Sequence, residues 1–209
     1  DSDEETGSEA GLKRIAPELM AQGIDHAFYA LTTDFTPLAR EYFTGMGECN
    51  VIHAALGFQE YTVRVTAPVY HTVAPVPFPG AIPETLKLIA AIEEFAEEVN
   101  QVPPATGPGH KLMQVMGIYS TQDTPLFPAH SCDIRVGRYY GPDEDPEGVA
   151  RQFRDFVEKQ AQDLGIKIEV NTTREMPALA TPVDDPLVQI TKAAVEEVRG
   201  KPPGWPACP

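Results

Sequence analysis

The chain has 209 residues, of which 42% are hydrophobic and 22% charged, so its apolar content suffices for a packed core in one domain or two small ones. It carries 31 acidic against 16 basic side chains, which gives a formal net charge of −15. This charge repels nucleic-acid phosphates and anionic lipids, so it excludes nucleic-acid and membrane-surface partners and favours neutral, cationic or metallic ones.

The cysteines and the N-terminus indicate a reducing compartment. Cys49, Cys132 and Cys208 are widely spaced, odd in number and outside any Cys-x-x-Cys pair, which favours neither a disulfide framework nor a thiolate zinc site. The acidic start differs from a signal peptide, and no run approaches the roughly 20 apolar residues of a membrane helix. We therefore expect a cytoplasmic protein.

The first fifty residues predict the beginning of an α/β unit. Apolar residues recur at helical spacing over 8–22, which predicts a helix, and the short apolar run 26–31 predicts a buried strand.

Residues 57–175 carry a longer pattern, which reads strand, helix, strand, strand, helix, strand. The predicted segments are a strand at 59–66, a helix with apolar residues from Leu86 to Val99, strands at 112–118 and 131–138, a helix at 145–164, and a strand at 166–171. The proline-rich segment 67–83 predicts a loop. Because this order is that of the split β-α-β motif, we expect an α+β fold with a ferredoxin-like domain over 57–175.

The last segment, 176–209, predicts one helix and a tail. Pro186 and Gly200 bound an amphipathic pattern over 186–199, and the tail at 204–209 has no strand or helix pattern. The sequence thus divides into a partial α/β segment at 1–56, the ferredoxin-like domain, and this returning helix with its tail.

Four residues carry candidate chemistry. Glu4 and Glu5 suit a general base and a metal ligand, or a solvated acidic terminus. His71, which follows a predicted strand, suits carbonyl polarisation or an ordinary loop position. Arg138 suits forked binding of a carboxylate or a surface ion pair. His-Glu-x-x-His, Gly-x-Ser-x-Gly and phosphate-loop motifs do not occur, which disfavours zincins, serine hydrolases and nucleotide-binding proteins.

Four motifs in this order resemble the di-zinc amidohydrolases and peptidases that include carboxypeptidase G, acetylornithine deacetylase, aminoacylase and succinyl-diaminopimelate desuccinylase. The motifs cover nearly the whole chain. They are Asp-Glu-Glu-Thr-Gly-Ser at 3–8; His71 with Pro75 and Gly-Ala-Ile at 80–82; Phe-Pro-Ala at 127–129 leading into 132–138; and Thr-Pro-Val-Asp-Asp-Pro-Leu-Val at 181–188 before a helix that ends in Gly-Lys-Pro-Pro.

The resemblance implies a function and roles. The family hydrolyses an amide bond next to a carboxylate, as in N-acyl amino acids and short peptides, with two zinc ions. Glu4 would then be the general base for the bridging water, and Glu5 a zinc ligand. The segment 57–175 would be the lid, which forms a homodimer through a strand and a helix. His71 would stabilise the oxyanion in the partner's site, and Arg138 would hold the substrate carboxylate.

Other family positions differ in this chain. No His-x-Asp occurs, Asp34 is the acid nearest the place of a further carboxylate ligand by Leu31, and Pro125 stands where the family has asparagine. We therefore expect an internal piece of such an enzyme or a degenerate relative, with an intact lid, an incomplete zinc centre and no activity in isolation. The alternative is a non-catalytic dimerisation or binding module.

Overall fold

The computed structural model describes strands and helices over most of the chain from residue 53 onward. The described residues are 17–18, 20–22, 53–73, 80–101, 112–121, 126–202 and 207–208. The chain divides into two compact units, 1–46 and 47–209. In the first, residues 17–18 and 20–21 are helical, within the predicted helix at 8–22, whereas the predicted strand at 26–31 lies outside the described residues.

The second unit contains ten described elements. They are β1 (Ala54–Ala55), β2 (Gly57–Thr66), α1 (Ala81–Asn100), β3 (Met113–Thr121), β4 (Ser131–Tyr140), α2 (Pro146–Leu164), β5 (Lys167–Met176), β6 (Leu179–Ala180), α3 (Pro186–Arg199) and β7 (Ala207–Cys208).

A four-stranded antiparallel sheet has the strand order β3-β4-β2-β5. Strands β2 and β4 pair along their full length, from Gly57 opposite Tyr140 to Thr66 opposite Ser131. The predicted α+β class is confirmed, because this order and the two intervening helices are those of a ferredoxin-like domain. We use that name for β2 to β5 with α1 and α2; the domain boundaries proposed from the sequence stay predictions.

The core lies between this sheet and the helices α1 and α2. In β2, Tyr61, Val63 and Val65 are buried while Arg64 and Thr66 are exposed, as a half-buried strand requires. The ring of Phe153 from α2 packs on Tyr61 with ring centroids 4.4 Å apart. Burial of each such side chain contributes about 1.5–3 kcal/mol. We call the other face of the sheet, away from the helices, the open face.

The ends of α2 agree with the sequence prediction. The Asp145 side chain accepts hydrogen bonds from the backbone N–H groups of Glu147 and Gly148, and Pro146 occupies the first turn. Gly165 ends the helix with a φ of 68°, in the left-handed region that glycine adopts without steric cost.

Several predicted boundaries were wrong. Helix α1 begins at Ala81, inside the predicted loop 67–83, because Pro83 falls in the first helical turn, where its missing N–H costs no hydrogen bond. Strand β5 continues to Met176 and β3 to Thr121. Both are edge strands, whose exposed polar residues obscure the alternation.

A small second sheet was not predicted. Its strand order is β6-β1-β7, with Ala54 opposite Ala180 in antiparallel pairing and opposite Ala207 in parallel pairing. The tail therefore contains a two-residue strand, contrary to the prediction. Two-residue strands are too short for a periodic signal. Across the described segments, no helix has the length and apolarity to span a membrane.

Candidate functional site

His71 lies beyond the carboxyl end of β2, in a region that we call the His71 end (residues 67–73 and 126–130). Two backbone hydrogen bonds hold its two segments together, from Ala67 N to His130 O at 2.9 Å and from Thr72 N to Leu126 O at 2.9 Å. The half-buried His71 ring lies edge-on to Phe127, with centroids 5.5 Å apart, and its Nδ1 accepts from Val73 N at 3.3 Å. His71 is thus placed by two loops at one end of the sheet.

The start of α1 adjoins the His71 end. Ala81 N donates to Ala129 O at 3.0 Å, and Gly80 enters the helix with a φ of 81°. A Cβ at Gly80 would lie 3.5 Å from Pro128 Cβ and 3.6 Å from the Tyr70 hydroxyl. The start of α1 therefore contacts both segments of the His71 end, through Tyr70 in one and Pro128 and Ala129 in the other.

Arg138 lies at the other end of β4, on the face that α1 and α2 cover. Its side chain is only 7% exposed and lies 3.6 Å from Glu144. Its Nη1 donates to Tyr139 O at 2.6 Å. Burial lowers the pKa of Arg138, and the charge of Glu144 opposes that effect.

Two further polar side chains share this Arg138 end. Gln59, directly opposite Arg138 in the sheet, accepts a hydrogen bond from the Tyr61 hydroxyl and donates to Pro146 O at 3.0 Å. Burial raises the pKa of Tyr61 to about 12. Arg138, Gln59 and Tyr61 are thus buried side by side at this end of the sheet, each with its own hydrogen-bond partner.

His71 and Arg138 do belong to one sheet structure, as the sequence indicated, but they lie at opposite ends of it. Arg138 pairs with Gln59, and β2 runs seven residues further to Thr66 before the His71 end begins. At ~3.3 Å per residue, the two sites are separated by more than ~20 Å along one chain.

The sequence reasoning did not single out Arg135, the arginine that β4 presents on the open face. Its side chain is 40% exposed, it forms an ion pair with Glu60, and it lies 6.0 Å from the Tyr119 ring centroid. Glu60 also accepts from Thr173 Oγ1 at 2.8 Å. The alternation of buried Ile134 and Val136 could have identified this position, because it places the side chain between them on the other face.

Two acidic groups of the open face have lowered pKa values. Burial alone would raise the pKa of Glu60, but hydrogen bonds from Arg135 and Thr173, with the charge of Arg135, outweigh burial. A hydrogen bond from Arg64 lowers the pKa of Asp133 and outweighs its burial. Arg64 binds both Asp133 carboxylate oxygens at 2.8 Å. Both carboxylates are therefore ionised at neutral pH.

The remaining predicted site residues lie outside the described residues. These are Glu4, Glu5 and Asp34, together with Pro125. Within the described segments, no group of three or more His, Cys, Asp or Glu side chains could hold a metal ion. The described part of the chain thus contributes no metal site of its own.

Solved structures with a similar fold include amidases and dipeptidases. Human carnosine dipeptidase 1 matches 98% of this chain with 13% identity and a TM-score of 0.65, over 52% of its own length. A hydantoinase/carbamoylase family amidase from Burkholderia ambifaria matches 78% with 19% identity and a TM-score of 0.58, over 38% of its length. A dipeptidase from Saccharomyces cerevisiae matches 78% with 14% identity and a TM-score of 0.54, over 45% of its length.

Sequence comparison alone finds no such relatives. No protein-family model matches the chain, and no curated protein matches it significantly. The chain spans between about 38% and 52% of the length of the three solved structures. Because their identities are all below 20%, the likeness concerns the fold alone: this chain shares its fold with these amidases and dipeptidases.

Proposed function

We propose that this chain is part of a hydrolase of amide or peptide bonds, with N-acyl amino acids or short peptides as substrates. The observation that supports this proposal best is the fold that the chain shares with amidases and dipeptidases over 78–98% of its length. The motifs around Glu4, Glu5 and His71 support the same proposal from sequence. A cytoplasmic location remains part of the proposal.

Zinc is the cofactor that the resemblance implies, and it would supply a water activated for attack on the amide carbonyl. Glu5 would be a ligand and Glu4 the base. Since the described residues contain no metal-binding group of three or more side chains, we derive no step through zinc from them. The described residues contribute His71 at one end of the sheet, Arg138 at the other end and Arg135 on the open face.

The test combines metal content with hydrolysis. The complete enzyme, of which this chain is proposed to be part, is analysed for zinc by elemental analysis, and then assayed on a panel of N-acyl amino acids and dipeptides with and without a chelator. Two zinc ions and chelator-sensitive hydrolysis would support the proposal. No zinc and no hydrolysis would instead favour the second candidate, a non-catalytic dimerisation or binding module. The exposed apolar surface of β3 is the observation that favours this second candidate.

Strand β3 has the features of a strand that pairs with another copy. It is an edge strand without a charged residue, and its Met116, Ile118 and Tyr119 side chains are about half exposed. The opposite edge, β5, carries charges such as Lys167 and Glu169, which discourage pairing. Ile82 and Leu86 of α1, which packs beside β3, are also exposed. We therefore propose a homodimer through β3 and α1.

The dimer proposal is tested by introducing one lysine into each edge strand, β3 and β5, in separate variants. Ile118→Lys should convert the dimer to a monomer in light scattering after size-exclusion chromatography. The matched control is Thr172→Lys, which adds the same charge to an exposed position of β5. A dimer that survives Ile118→Lys, or is lost equally in both variants, would contradict an interface at β3.

The arginine that binds a substrate carboxylate is Arg138 according to the resemblance. A ligand would have to open the buried layer around it and compete with Glu144. Arg135 offers a more accessible guanidinium, but a carboxylate that binds there would compete with Glu60. Kinetics of Arg138→Lys and Arg135→Lys distinguish them, because loss of carboxylate binding should raise KM for carboxylate substrates, whereas a structural loss should lower stability with KM unchanged.

His71 is proposed to act in the partner's site, which mixed dimers can test. In the active enzyme, mixing a His71→Ala chain with a Glu4→Ala chain should restore part of the activity, because one site of the mixed dimer keeps both its base and a trans histidine. Activity no greater than that of the separate variants, with mixed dimers shown to form, would mean that His71 acts within its own chain or has no catalytic role.

A further inference from the structure

Tyr140 lies where the chain passes between its two sheets. The ferredoxin-like domain is joined to the small sheet by two short crossings, Leu56 between β1 and β2, and residues 177–178 between β5 and β6. A side chain that holds both crossings therefore acts on the orientation of one sheet relative to the other. Tyr140, the last residue of β4, contacts both.

The ring of Tyr140 holds the first crossing. It is buried and lies against the backbone of Gly57, so closely that a Cβ at Gly57 would be only 2.2 Å from its Cζ atom. Leu56, the preceding residue, is itself buried in the core of the ferredoxin-like domain. The absence of a side chain at Gly57 is what allows the ring to occupy this place.

The hydroxyl of Tyr140 holds the second crossing. It donates a hydrogen bond to Met176 O at 3.0 Å, and the hydroxyl oxygen itself accepts from the backbone of Ala178. The hydroxyl thus holds the residues on both sides of Pro177. Proline lacks an N–H and cannot continue the ladder of β5, so these contacts give the crossing side-chain support.

The small sheet fixes the far ends of the two crossings to each other. Thr181 N donates to His53 O at 2.7 Å, and His53 Nδ1 lies 2.8 Å from Thr181 O. Ala54 and Ala55 continue this pairing with β6. Both crossings are therefore joined on the small-sheet side by backbone pairing and on the other side by Tyr140.

We propose that Tyr140 is a hinge clamp, which uses its ring on Gly57 and its hydroxyl on Met176 and Ala178 to hold the ferredoxin-like domain in one orientation to the small sheet. The clamp requires the hydroxyl as well as the ring, which separates it from simple core packing. The inference is independent of the proposed hydrolase function, because it concerns only contacts within residues 53–181.

Hydrogen–deuterium exchange on the whole chain tests the clamp. Tyr140→Phe keeps the ring and removes the hydroxyl, so the amides of 176–181 and 54–57 should exchange roughly fivefold to tenfold faster, as expected for the loss of one hydrogen bond. The amides of α1 and β3 should be unchanged. The matched control is Tyr139→Phe, since that neighbouring ring lies on the other face of β4 against Phe58.

A double-mutant cycle gives a second readout. Gly57→Ala should displace the ring and increase exchange at both crossings, and Gly57→Ala with Tyr140→Phe should add little beyond the larger single effect, since both act on one contact. Unchanged exchange at the crossings in Tyr140→Phe would overturn the proposal. Uniformly faster exchange across α1 and β3, or fully additive effects in the cycle, would also overturn it.

Discussion

Replacing Thr85 by valine should stabilise the ferredoxin-like domain. Thr85 lies in α1 with 1% of its surface exposed, and its hydroxyl has no hydrogen-bond partner within the described structure. A buried hydroxyl without a partner costs about 1–3 kcal/mol. Valine replaces that hydroxyl by a methyl group of similar size and has a similar helix propensity, so Thr85→Val should raise the free energy of unfolding by about 1–2 kcal/mol.

Urea unfolding followed by circular dichroism measures this change, with the thermal midpoint as a second readout. A gain of that size corresponds to roughly 2–8 °C in a domain of this length. The matched control is Thr85→Ser, which keeps the hydroxyl and removes the methyl group, and should cost about 0.5–1.5 kcal/mol. A less stable Thr85→Val with an unchanged m-value would mean that the hydroxyl has a partner, and would refute the reasoning.

Three further predictions follow from the core, the open face and the N-terminal acids. Phe153→Ala should cost about 3–5 kcal/mol in urea unfolding, because it empties the place of a buried ring; a loss below ~1 kcal/mol would contradict this. The pKa values of Glu60 and Asp133 lie below their ordinary values of 4.5 and 3.8, so the unfolded chain binds more protons in acid. Stability should therefore fall as the pH drops below about 4.5, with a shallower fall in Glu60→Gln, and a flat profile would argue against it. Calorimetric titration should detect only weak zinc binding, since a zinc site needs three or four protein ligands and the sequence matches Glu5 alone. Micromolar binding that Glu5→Ala abolishes would indicate that Asp34 or another residue completes a site.

The sheet and its helices could be predicted from the sequence because their periodic signals are long. Tyr61, Val63 and Val65 alternate with polar residues, and Asp145-Pro146 and Gly165 mark both ends of α2. These signals depend on local physics, namely period-2 burial and end capping. The strand order then follows from the split β-α-β pattern. The paired segments of the small sheet are two residues long, and their partners are far away in sequence, so no local signal exists for them.

The face of the sheet that Arg135 and Arg138 occupy could be predicted from the sequence, but their ion-pair partners could not. Arg135 and Arg138 are three residues apart in one strand, so the period of two places them on opposite faces, and the burial of Val136 assigns Arg138 to the covered face. The partner Glu144 could not be predicted, because it comes from a turn outside the strand pattern. An arginine at a strand end can therefore be assigned as a ligand-binding group only when it is known which face of the sheet it occupies.

The antiparallel register also limits how His71 and Arg138 can serve one substrate. In a single chain they lie more than ~20 Å apart along the sheet, whereas an N-acyl amino acid is much shorter. In the proposed dimer, antiparallel pairing through β3 reverses the strands of the partner, so the His71 end of one domain and the Arg138 end of the other lie at the same end of the joined sheet. At that end, β4 and β3 of one domain and β3 of the other lie between the first β2 and β4 of the partner. At ~4.8 Å per strand these two strands are roughly 19 Å apart, so dimer formation does not by itself favour Arg138 over an open-face group such as Arg135. The dimer therefore has its own test: the Ile118→Lys variant should lose any activity that depends on a trans histidine, whereas Thr172→Lys should retain it.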